Sequence, residues 1–435
     1  MSGLDQCIFF AYLAGILAVG ALFARRQRSE GEFFLAERSM DWFPIGLSVM
    51  VTTFSAMNYT AFSGELLQHG LYVALSLPVF VLVAFPVTRI IMPFYHGMNL
   101  CSAYEYLERR FDVRVRCLAS GLFILWRIFW MAIGLLATSR ILAGITGLPL
   151  LLLLALTGAA ATLYTLLGGM RAVMWTDVVQ FFVLFGGLII AVCVAAGREP
   201  NGFAGLFAGA AEAGLMRPFH EFDPDMFSLD PRIRITVWSA LTGTFVAFLG
   251  RYSADQVVVQ RYFTARSLRH AQRGFWLNVA CAVITIGSLA LLGFAVRAGM
   301  SRAGVAIEQG VPPLRYLAMF IKSLPRGLAG LMTAGILAAA MSSVDSGINS
   351  CSAAFVTDFY RRLRRRPETP EAGPGVLTDR AVTLALGVLV VGMAWYVGTW
   401  RQGIFTITAK IIHGMGSPLL AIILAGMFSR RANAT

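Results

Sequence analysis

The stretch Gly335–Ser350, GILAAAMSSVDSGINS, carries hydroxyl and carboxylate groups where the surrounding sequence is apolar. It continues the apolar run Leu328–Ala340 without a break, which sets most of it at membrane depth. At about 100° per residue, Ala339, Ser342, Ser343, Ser346 and Ser350 share one helix face, with Asp345 at its edge. Oxygen ligands in one stripe, shielded from lipid, suit a hard cation such as Na⁺. An ionisable group such as Asp345 at that depth marks a functional site. Small and hydroxylated residues also let helices approach closely, so helix packing is the competing explanation of the stripe. The carboxylate favours the ion site.

Other polar residues interrupt apolar stretches. Gly46–Gly64, GLSVMVTTFSAMNYTAFSG, gathers hydroxyls and Asn58 at mid-span, as an unwound helix lining a cavity would. Gly168–Gln180, GGMRAVMWTDVVQ, places Asp177 about one helical turn inside a span; a carboxylate capping that helix in water is the alternative. Leu249–Tyr262, LGRYSADQVVVQRY, ends another span. Lys410 and His413 fall at mid-membrane in ITAKIIHGMGSP, and Arg127 is a further cation inside a span. Snorkelling to an interface competes with a binding role for both cations.

These stretches are held by a chain of 435 residues that is 57% hydrophobic, with a mean hydropathy of +0.70. Several runs reach the ~20 apolar residues that span a bilayer, so the chain reads as an all-α polytopic membrane protein. Its six cysteines are scattered without a metal-binding spacing. The net charge of +13 sits in loops between spans, which makes it a topology signal and not a nucleic-acid footprint. With no nucleophile–base pair or metal cluster, an enzyme is not expected. Cys7–Ala24 is followed, not preceded, by its positive charges, the reverse of a secretory leader.

In order, the expected spans are 7–24, 42–63, 71–94, 117–144, 148–167, 173–196, 235–250, 275–296, about 327–359, 381–397 and 404–428, eleven in all. Prolines 78, 86 and 93 are expected to bend the third. The stretch 198–234 is the longest loop between spans, with FDPDMFSLDP reading as turns; 255–273 reads as a polar basic connection, and PLRYLAMFIKSL as an interfacial helix. Arginines alternate between loops: residues 25, 26, 28 and 38, then 109, 110, 114 and 116, then 171, then 261, 266, 269 and 273, then 361–366, then 430 and 431 share one side. By the positive-inside rule that side is cytoplasmic, with the N-terminus outside, the C-terminus inside, and the plasma (inner) membrane as location.

AAAMSSVDSGINS, GGMRAVMWTDVVQ, SAYEYLERRF and SADQVVVQRY, in this order, resemble the sodium/solute symporter family, relatives of the sodium/glucose, sodium/proline and sodium/monocarboxylate transporters. The resemblance runs from about Phe33 to Phe428. It implies a LeuT-type fold of two inverted five-helix repeats, about 42–196 and 235–428, preceded by the extra helix 7–24, all in one transmembrane domain. Family members often carry further C-terminal helices, whereas this sequence ends after the second repeat. The main sodium site implied uses the hydroxyls of Ser342 and Ser343 and the backbone carbonyls of Ala339, Val51 and Phe54. A second sodium, held in some members, implies Asp177, Ser342 and Ser346, with Asp345 as a further ligand.

The solute cavity implied lies near the midplane between the broken first and sixth helices of the fold. Asn58, Trp130, Trp238 and Phe245 are its candidates, and Arg127 and Lys410 would favour an organic anion such as a monocarboxylate. The partners expected are therefore Na⁺, a small solute and the lipid bilayer. A sugar, amino acid or vitamin is the alternative cargo, and a non-transporting sensor or a sodium channel on the same fold is the rival function. The absence of a soluble domain after Phe428 speaks against the sensor.

Overall fold

The computed structural model describes residues 2–24, 29–70, 77–216, 227–230, 232–233, 236–308, 311–363, 376–400 and 412–433. Among the described residues, seven helices are long and apolar enough to cross a bilayer. They are α1 (Gly3–Ala24), α5 (Leu77–His96), α7 (Val113–Thr146), α8 (Leu150–Gly197), α12 (Leu268–Arg302), α14 (Leu328–Ala354) and α15 (Val376–Gly398). Between them lie α2 (Glu30–Leu35), α3 (Trp42–Thr53), α4 (Ala56–His69) and α6 (Glu105–Arg110). The second half adds α9 (Phe203–Glu212), α10 (Thr244–Ala254), α11 (Gln256–Phe263), α13 (Pro313–Ser323) and α16 (Ser417–Phe428).

At about 1.5 Å per residue, the 48 residues of α8 reach far beyond a bilayer's thickness of about 30 Å. They cross twice, joined at Gly169, whose φ of 55° and ψ of −156° only glycine adopts freely. With that double crossing, the broken pairs α3/α4 and α10/α11, and the short α16, the architecture matches the eleven spans expected. α5 departs from regular α geometry after Pro86, which lacks an N–H: the helix widens into a π turn over Val87–Ile91.

The loop after α8 carries an element that the sequence did not suggest: α9 forms there and buries Leu206 and Ala210, one turn apart, beside α12. More consequentially, span seven does not stop at Gly250. It breaks at Asp255 and continues as α11, every residue of which is buried. Arg261, counted above among loop charges, is therefore fully inside the protein. A hydropathy reading loses this half-helix because its polar residues face partners from other spans and not water.

α14 sits at the centre. Nearly all of its residues are buried, apolar and polar faces alike, as befits a helix surrounded on all sides. α8 and α1 flank it. Asp5 of α1 accepts the Gly327 and Gly330 amides at 2.7 and 2.9 Å, satisfying N–H groups left open at the start of α14. Its other carboxylate oxygen takes the Ser2 amide and hydroxyl, both at 2.7 Å.

Candidate functional site

α3 and α4 are one span interrupted at Phe54 (φ −92°, ψ 127°) and Ser55 (φ −114°, ψ 154°). Extended backbone there interrupts the helical ladder, leaving the Val51 carbonyl with the Phe54 amide at 3.2 Å. α14 adds hydroxyls beside these carbonyls. Ser342 Oγ donates to Val51 O (3.2 Å) and Ala339 O (3.1 Å), and Ser343 Oγ to Phe54 O (3.2 Å) and Ala339 O (3.3 Å). All five residues are buried. Three carbonyl and two hydroxyl oxygens thus converge on one point, a donor set suited to a hard monovalent cation.

One turn farther along α14 is a second buried cluster. Asp177 Oδ2 accepts from Ser48 Oγ and, at 3.4 Å, from Thr52 Oγ1, while Thr52 Oγ1 lies 3.0 Å from Ser346 Oγ. Asp177 is fully buried, which overturns the reading of it as a helix cap in water. Asp345 accepts from the Tyr164 hydroxyl and from the Ser346 amide. Neither carboxylate has a basic residue in its own span, 173–196 or 327–359. The structure brings one from another: Arg261 Nη2 reaches Asp177 Oδ2 at 3.1 Å, Ser346 Oγ at 2.5 Å and Thr52 Oγ1 at 2.7 Å. Its Nε donates to Ser48 Oγ at 2.7 Å. Asp177 Oδ1 has no hydrogen-bond partner among the described residues.

The α10/α11 break at Asp255 (φ −82°, ψ 112°) lies across from the first break. Asp255 Oδ1 accepts the Val257 amide at 3.1 Å and Arg127 Nε at 3.1 Å, and Asp255 Oδ2 pairs with Arg127 Nη2. Both side chains of this pair are buried, so Arg127 is committed to holding the break and is not a free receptor for a solute. The cation facing the cavity is Arg251, which sequence reasoning passed over inside LGRYSADQ. Its Nη1 donates to Thr53 O at 3.1 Å, tying one break to the other. Its guanidinium lies 5.3 Å from the Trp130 ring centre and 5.6 Å from that of Phe248. Among the described residues no carboxylate pairs with it.

Arg251 and Phe248 line two cavities. One, of about 50 Å³, includes Thr53, Asn58 and Phe62; the other, of about 420 Å³, is bounded by Trp126, Val246, Asp255 and Ser417. Of the solute candidates, Asn58 lines the small cavity and Trp130 stacks on Arg251. Phe245 is partly buried against the core and lines neither. Trp238 is 47% exposed and donates to Phe227 O at 3.2 Å, away from both. Lys410 lies outside the described residues, as do 364–366 of the basic run.

The family model for the sodium:solute symporter family matches residues 33–435. The chain belongs to that family. Among its relatives, the sodium/sialic acid symporter NanT of Aliivibrio fischeri is 30% identical over 99% of this chain and 84% of its own length. The sodium-dependent multivitamin transporter of Oryctolagus cuniculus is 30% identical over 99% of this chain and 67% of its own. A solved Na⁺-coupled sialic acid symporter, in a substrate-bound outward-open state, superposes with a TM-score of 0.89 at 27% identity, covering 100% of this chain and 88% of that one. The chain is therefore a sodium-coupled solute symporter with the LeuT-type fold, a multi-pass membrane protein and not an enzyme.

Proposed function

We propose that this symporter couples Na⁺ entry to uptake of a small organic anion, with Arg251 as receptor for the solute's carboxylate. The observation that carries this reading is a half-buried guanidinium, without an acidic partner among the described residues, placed between the two helix breaks and lining both cavities. A charge drawn partly out of water is favoured by a partner, and an incoming carboxylate supplies it. The adjoining cavity of about 420 Å³ is of the size that holds small ligands, and leaves room for the rest of the solute. The relative NanT is named for sialic acid, which is itself an acid. Monocarboxylates and larger acids both fall within this class.

Sodium binds the five oxygens of Val51, Phe54, Ala339, Ser342 and Ser343 and braces α3 against α14 beside the solute. Alternating access follows as the repeat 42–196 and the inverted repeat 235–428 rock about this point. A second sodium uses Asp177, Ser342, Asp345 and Ser346. With both carboxylates ionised and Arg261 among them, that cluster holds one net negative charge, and Asp177 Oδ1 is open to a cation. Arg261 must then withdraw from the shared oxygens when the ion arrives. The arginine-rich face is cytoplasmic, the N-terminus outside, in the plasma (inner) membrane.

The test is uptake into proteoliposomes of labelled organic acids, each beside its neutral amide, with and without an inward sodium gradient. Acids should accumulate only with the gradient and the amides should not. Equal uptake of acid and amide would overturn the anion assignment, and gradient-independent uptake the coupling.

A further inference from the structure

Polar side chains continue along α14 beyond the level at which Asp177 of α8 meets it. Ala339, Ser342 and Ser343 form the first oxygen set, Ser346 the next turn, and Asn349 the turn after. Asn349 and Gln260, both fully buried, meet at this third level. Gln260 Nε2 donates to Asn349 Oδ1 at 3.2 Å and to the Phe34 carbonyl at 2.7 Å. Gln260 Oε1 and Asn349 Nδ2 have no partner among the described residues. A half-turn of the Gln260 amide exchanges its nitrogen for its oxygen. It then leaves three oxygens facing one another with no proton between them, a condition that a cation relieves.

Below this point the path is shut by one short element. Phe33, Phe34, Leu35 and Ala36 of α2 and its exit are all buried. Beyond them a cavity of about 550 Å³ opens on the arginine-rich face, with Phe34 and Leu35 in its wall beside Glu37, Arg38 and Arg109. The chain leaves α2 through three successive left-handed residues, Ala36 (φ 48°), Glu37 (φ 53°) and Arg38 (φ 52°), a costly conformation for residues with a Cβ. Tertiary bonds hold it there: Arg171 Nη2 to Ala36 O at 3.3 Å, Arg38 Nη2 to Leu100 O at 2.9 Å, and the Met40 amide to Thr264 O at 2.9 Å.

We propose that Gln260, Asn349 and the Phe34 carbonyl form a further cation station, the last on sodium's way to the arginine-rich face, closed by the α2 plug. This rests on the sodium coupling described above and goes beyond both sodium sites. The left-handed exit makes the plug a latched element that releases when those bonds break.

The test uses the full chain in liposomes with its six native cysteines replaced. Asn349→Cys is exposed to a cationic, membrane-impermeant methanethiosulfonate from one face at a time, and Arg109→Cys marks the arginine-rich face. Asn349→Cys should react only from the face marked by Arg109→Cys, and faster once Phe34→Ala is added. Replacing choline by Na⁺ at about four times its Kd should slow the reaction about fivefold, by occupancy alone. Binding of radioactive sodium to the same variant tests the coupling separately and shows that it is folded; if it is not, Gln260→Cys is used in the same way. Reaction from the opposite face, a rate indifferent to Na⁺, or no reaction from either face in a variant that binds sodium would each overturn the proposal.

Discussion

Ser343→Ala tests the five-oxygen site most directly, and its magnitude can be worked from the hydrogen bonds. Ser343 Oγ touches Phe54 O and Ala339 O at 3.2 and 3.3 Å, so a sodium ion bound there replaces hydrogen bonds that the hydroxyl already makes. Losing a contact to a charged group costs about 1.5–3 kcal/mol, while the hydroxyl bond that need no longer be broken returns about 0.5–1.5 kcal/mol. The difference, about 1–1.5 kcal/mol, corresponds to a roughly five- to tenfold rise in the sodium concentration at half-maximal uptake. Ser342→Ala should behave alike, since Ser342 Oγ bonds Val51 O and Ala339 O. The two effects should not add, because both hydroxyls share Ala339 O. The assay is solute uptake against sodium concentration in proteoliposomes, with potassium or choline holding ionic strength constant. Half-saturation within twofold of the parent in both single variants would refute the assignment of these oxygens to sodium.

Arg251→Gln should raise the solute concentration at half-maximal uptake by about 10- to 150-fold, the equivalent of ~1.5–3 kcal/mol for a charged hydrogen bond, while leaving sodium half-saturation nearly unchanged. Arg127→Met alone strands the buried Asp255 carboxylate and should cost about 3–5 kcal/mol, visible as lost folded yield in size-exclusion chromatography of the detergent extract. Arg127→Met combined with Asp255→Leu should recover much of that yield. Asp177→Asn should reduce a measured coupling ratio from two sodium ions per solute to one; an unaltered ratio of one in both proteins would remove the second site.

The polar face of α14 was legible because hydroxyls inside an apolar run have few reasons to be there. The break in the second span was legible for the same reason, through Asn58 and its neighbouring hydroxyls. The carbonyls of Val51, Phe54 and Ala339 came only with the family resemblance, since a backbone oxygen leaves no mark in side-chain type. What could not be read was which cation is paired. Arg127 and Arg251 look alike in sequence, and the partner that separates them, Asp255, stands 128 residues from Arg127. Arg261 was hidden more deeply. A run of Asp, Gln and Arg after an apolar segment reads as a loop, and only the fold shows Ser48, Thr52 and Asp177 waiting for it.

The bonds from Asp5 to the start of α14 set an order of assembly. Gly327, its amide donor, is 322 residues away. At synthesis rates of about 5–20 residues per second, that separation corresponds to roughly 15 to 65 seconds of translation. Throughout that interval α1 can already lie in the bilayer, its carboxylate satisfied only by Ser2. Docking of α1 on α14 therefore waits until the second half of the chain has been made. A nascent chain halted before residue 327 shows the membrane an N-terminal helix with an unfinished cap, a chemical sign of incompleteness that the finished transporter no longer displays.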